Sequence, residues 1–64
     1  MKLKDFIKLS EDPYVWCQVH DSNFEMRVFY NSISNIPDEL LERTLTSWEV
    51  KETQLGPEMI FTVK

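Results

Sequence analysis

The chain has 64 residues with seven basic and eleven acidic side chains, a formal charge of −4 that makes it one small acidic domain spanning 1–64. The surplus of carboxylates excludes generic duplex-DNA binding, which needs an electropositive surface to displace counterions. Cys17 is the one cysteine, so an internal disulfide is excluded; Cys17 and His20 are too few for a structural zinc, and no stretch has the length and apolarity of a membrane span.

The first element is a short amphipathic helix in MKLKDFIKLS. Leu3, Phe6 and Ile7 recur at the spacing of one helical stripe, and Lys2, Lys4, Asp5 and Lys8 face away. Asp5 interrupts the lysines and no small-residue cleavage pattern follows, so this segment does not read as a signal peptide. Together with a single free cysteine, that predicts a reduced, cytoplasmic setting. Ser10, Glu11, Asp12 and Pro13 are expected to end the helix, because the residue before a proline is pushed out of the helical region.

From Tyr14 the period changes to two. Val15, Cys17 and Val19 point one way, while Tyr14, Trp16, Gln18 and His20 point the other. Asp21, Ser22 and Asn23 supply turn chemistry. In the hairpin partner Phe24, Met26, Val28 and Tyr30 share one face, with Glu25, Arg27 and Phe29 on the opposite one. A polar loop, 31–35, leads to a second helix over IPDELLERTL, with Asn35 as its cap, Pro37 in its first turn, and Asp38 and Glu39 where the helix dipole prefers negative charge. Leu40, Leu41 and Leu45, with Ile36, make its apolar stripe, and Glu39 and Arg43 are an i,i+4 pair. Trp48 and Val50 then alternate with Ser47, Glu49 and Lys51 in a third strand, Gly56-Pro57 marks a turn, and Met59 to Lys64 closes the chain as a fourth strand.

These elements predict an α+β fold: a two-layer αββαββ arrangement with a four-stranded, mainly antiparallel sheet and two helices on one face. The way in which the two hairpins join is left open by the pattern. With the helices on the Val15/Cys17/Val19 side, Tyr14, Trp16 and Phe29 fall on the uncovered side, joined by Ile60 or Phe61 according to register. A contiguous apolar patch of that size marks a contact surface. The plain alternative is a three-layer core in which one helix covers that face. A chain this short buries only about 60% of the surface that its unfolded form exposes, so association is expected, and a homodimer is the simplest form of it.

The catalytic letters are present in the wrong places. His20-Asp21-Ser22 are neighbours, whereas a triad converges from separate segments. Cys17 and His20 lie three apart on a strand, hence on opposite faces. A single glycine excludes a glycine-rich phosphate loop. Lys2, Lys4, Lys8 and Lys64 could form a cationic corner, although lysines so placed are more often a solvated helix face. No cofactor, no metal and no catalytic residue are expected, and the candidate binding set is Tyr14, Trp16, His20, Arg27 and Phe29.

The order of short helix, hairpin, IPDELLER, a strand reading TSWEVKE, a turn and a closing MIFTV resembles short phage and mobile-element proteins of Gram-positive bacteria that carry an I-P-x-E-L-L-x-R segment. The long aromatic first hairpin departs from that pattern. The resemblance implies a compact binder that antagonises a host defence component by stoichiometric contact. Two rival readings stand beside it: a sponge, in which Tyr14, Trp16, Arg27 and Phe29 stack on and pair a small nucleotide messenger at a dimer seam, and a structural or accessory subunit of a phage assembly.

Overall fold

The computed structural model describes residues 1–9 and 15–64, so the predicted helix end at 10–13 and the candidate binding residue Tyr14 lie outside the described residues. Its elements in chain order are α1 (Leu3–Ile7), β1 (Trp16–Asp21), β2 (Met26–Tyr30), a 3-10 turn at Ile33–Asn35, α2 (Asp38–Leu41), β3 (Leu45–Thr53) and β4 (Gly56–Val63). This is the small α+β fold expected, with one four-stranded sheet ordered β2-β1-β4-β3. The hairpins join through their inner strands: β1 pairs parallel with β4, while β1–β2 and β3–β4 are antiparallel.

Apolarity decides which strands are central. Cys17 and Val19 of β1, and Phe61 and Val63 of β4, are buried together with Leu3, Ile33 and Ile36, and these seven form the core among the described residues. The register stacks them in rows, Cys17 beside Tyr30 and Met59, then Val19 beside Val28 and Phe61. Phe6 of α1 packs its ring edge-on to Phe61, at 5.8 Å between centroids, and tilted against Trp48 at 5.1 Å. Phe61 therefore belongs to the helix-covered side, and Ile60 is the residue of that pair on the other side.

Both helices are shorter than the pattern suggested. α2 is a single turn, and Leu45 belongs to β3 rather than to a helical stripe. The cause is pairing further on. Thr44 gives its N–H to the Lys64 carbonyl and receives the Lys64 N–H, and Leu45 donates to the Met1 carbonyl, so their backbone groups are taken by the sheet. Asn35 is not the cap of α2. It sits in the 3-10 turn, donating its side-chain amide to Asn31, and Pro37 occupies the cap position without a side-chain bond. Arg43 does not pair with Glu39. It reaches Asp21 in a two-pronged contact of 2.9 and 2.8 Å, tying the end of β1 to the chain just beyond α2.

The β3–β4 turn also shifts. Thr53 opposes Gly56, so the two-residue loop is Gln54-Leu55, and Gly56 supplies the positive φ of 114° that a side chain would resist. In the first hairpin it is Glu25 that takes a positive φ, 53°. Asp21 accepts the Asn23 N–H there, and the Ser22 hydroxyl and N–H both reach the Val63 carbonyl, which ties this turn to the end of β4.

Candidate binding face

The sheet side away from the core carries three rows. Trp16, Glu58 and Lys51 form the first; Phe29, Gln18, Ile60 and Glu49 the second; Arg27, His20, Thr62 and Ser47 the third. Strand alternation alone sets this membership, and four of the five candidate residues, Trp16, His20, Arg27 and Phe29, are brought to one face. No described helix lies on it. Trp16 is 50% exposed and Phe29 68% exposed, on a diagonal that crosses from β1 to β2.

Two things sharpen the geometry. Trp16 and Phe29 line a cleft of about 430 Å³ whose other described walls are the β3–β4 turn with Leu55 and Pro57, and Glu58. Leu55 and Pro57 are apolar contributors that sequence reading assigned only to a turn. Their signal was the narrow loop between two strands, which sets them at one end of the sheet.

Gln18 lies between Phe29 and Ile60 and is only 7% exposed, although no described helix covers it. Its Nε2 donates to Glu58 Oε1 at 2.7 Å, and its own Oε1 is buried with no hydrogen-bond partner among the described residues. A desolvated acceptor left unmatched costs about 1–3 kcal/mol. The pattern placed Gln18 on this face but gave no sign that it would be buried there.

Several other polar groups are engaged away from the cleft. His20 Nε2 stands 3.5 Å from Glu25 Oε2. Asp21 points to the core side, where hydrogen bonds from Arg43 hold its carboxyl below the usual carboxylate range against the opposing effect of burial. Burial pushes the Cys17 thiol up to about 11, with the Glu58 charge adding to it, and that thiol faces away from His20. The lysine corner is partly neutralised: Lys2 and Lys4 each reach Glu42 at 2.7 Å and draw its carboxyl down to about 2. Arg27 is on the open face and does not converge on those lysines.

The face thus offers flat aromatic area around a buried amide, with one carboxylate at the cleft. No protein-family model, no curated protein and no solved structure matches the chain. Among the described residues no helix is long and apolar enough to cross a membrane.

Proposed function

We propose that this chain is a non-enzymatic binding module that works by stoichiometric contact between its open sheet face and a protein partner. In the setting implied by the IPDELLER resemblance, that partner is a host defence component, and the chain acts in the host cytoplasm as a homodimer. The observation that carries the reading is the exposure of Trp16 and Phe29 around a desolvated Gln18 on a face that no described helix covers. Trp is among the residue types enriched in the few positions that dominate the energy of protein contacts. A partner donor reaching Gln18 Oε1 would also remove an existing penalty.

The groups that could do chemistry are occupied in ways that favour binding: Asp21 by Arg43, Ser22 by the Val63 carbonyl, and Cys17 by burial. The nucleotide-sponge reading has less support, since Glu58 is the ionisable group among the described cleft residues and its carboxylate repels phosphate. The test is quantitative capture of a host protein at fixed stoichiometry, repeated with Trp16→Glu and Phe29→Glu. Capture that both variants retain, or catalytic turnover of substrate at sub-stoichiometric protein, refutes the proposal.

A further inference from the structure

The outer edge of β3 is the longest unpaired stretch of backbone among the described elements. Among the described strands β3 has β4 as its sole neighbour, and every residue of β3 after Leu45 is exposed. The backbone groups that face outward follow from the pairing. Thr44 exchanges both hydrogen bonds with Lys64, so on β4 the even-numbered residues bond toward β3. After the register shift between Leu45 and Ser47, their partners are Ser47, Glu49, Lys51 and Thr53. Trp48, Val50 and Glu52 therefore turn their N–H and C=O groups away from β4. Met1 covers the edge only as far as Leu45.

An exposed edge of this kind is a template for another strand. We propose that two copies of this chain pair through β3, antiparallel about a twofold axis at Val50, to give a continuous eight-stranded sheet. This arrangement makes Val50 oppose its own copy and Trp48 oppose Glu52, for roughly six main-chain hydrogen bonds. It sets Glu49 opposite Lys51 twice, on the open side of the sheet, in the pairs whose side chains approach most closely. Neither Glu49 nor Lys51 has an ion-pair partner among the described residues.

Charge selects this register over its neighbours. Because a face must meet the same face, the axis moves one residue at a time along the strand. An axis at Glu49 sets Glu49 against itself, and an axis at Lys51 sets Lys51 against itself. On the helix side the selected register brings two apolar residues of each copy together: Trp48, 53% exposed, and Val50, 51% exposed. Pairing ends at Ser47, before the partner's turn meets Met1. The other edge, β2, is five residues long with Arg27 as its one charge, and it has no opposite charge to offer a copy of itself.

The pairing specifies the interface of the homodimer proposed above and leaves the open face free, so the two readings fail separately. Light scattering of the whole chain tests it. Wild type is dimeric, and Glu49→Lys or Lys51→Glu alone turns two attractive contacts into repulsive ones, weakening dimerisation by roughly tenfold. The double swap Glu49→Lys/Lys51→Glu restores it. Val50→Pro removes an outward N–H and no bond to β4, so it yields a folded monomer. Trp16→Glu leaves the dimer intact. A wild-type chain that stays monomeric at millimolar concentration, a double swap that fails to recover, or a dimer lost in Trp16→Glu and kept in Val50→Pro overturns the proposal.

Discussion

Phe61 and Ile60 are chain neighbours on the central strand β4 with opposite assignments, and replacing each with alanine tests the face assignment on which the functional reading stands. Phe61 is fully buried, against Phe6 on one side and among Val19 and Trp48 in its row. Truncating a buried Phe to Ala costs about 3–5 kcal/mol, through lost transfer energy and the cavity left behind. A domain of 64 residues has about 3–10 kcal/mol of stability in total, so Phe61→Ala is at the edge of folding. Ile60 is half-buried on the open side beside Gln18 and Glu49, where water can fill the space, and Ile60→Ala costs about 1 kcal/mol. Urea unfolding followed by far-UV circular dichroism reads both, because the tryptophans' own environments then do not bias the signal. Phe61→Leu, which keeps most of the volume, loses about 1–1.5 kcal/mol and keeps partner capture. Ile60→Ala folds but captures the partner less well. Equal costs at the two positions, or a larger one at Ile60, would show that the sheet faces are inverted and would refute the reasoning.

Acid should destabilise the chain in a defined window. Asp21 and Glu42 have folded carboxyl pKa values below their ordinary ones, so their contribution is present at neutral pH and drains as pH falls through the folded values; for Glu42 this runs from 4.5 to about 2. Urea midpoints measured against pH should fall over that range, less steeply in Arg43→Met, and midpoints that rise on acidification would contradict the pairing. Cys17, with its thiol moved from 9.0 to about 11, should react with iodoacetamide roughly a hundredfold more slowly in the native chain than in urea at the same pH. Equal rates would mean that this strand face is open. Glu25→Gly relieves a left-handed residue at the expense of chain entropy, for a net gain of about 0.5 kcal/mol and a Tm rise of about 2–4 °C by calorimetry.

Strand faces were legible because period-two alternation is a local property: Cys17 and Val19 against Trp16 and His20, and Met26 and Val28 against Arg27 and Phe29, fall as the spacing requires. Strand order was not read, though a signal existed. β3 carries Glu49, Lys51 and Glu52, whereas β4 carries Glu58 alone over Gly56–Val63, and charge concentrates on edges because a central strand has little solvent to give it. The length of α2 was illegible for a different reason. Leu40, Leu41 and Leu45 have helical spacing, yet the partners that claim Thr44 and Leu45 are Lys64 and Met1, at the two ends of the chain. The burial of Gln18 likewise leaves no mark in the local pattern.

The brevity of the helices explains why apolar surface is left over on both sides of the sheet. One and a half turns of α1 and one turn of α2 cover the centre of the core face, leaving Met26 and Val28 on one edge strand and Trp48 and Val50 on the other only partly shielded. Lengthening a helix would cover them, but the pairing of Thr44 with Lys64 already fixes where α2 must stop. A second chain can cover what the first cannot, at an edge that has free hydrogen-bonding groups as well as apolar side chains. The open face differs in kind: the backbone hydrogen-bonding groups lie in the plane of the sheet, so what the face itself can contribute is side chains alone. The proposed backbone addition at β3 and the proposed side-chain recognition around Trp16 and Phe29 therefore use separate surfaces. In a pair built through β3 the two open faces lie side by side on one sheet, a geometry in which one partner molecule with a twofold axis of its own meets both recognition surfaces at once and gains from their linkage.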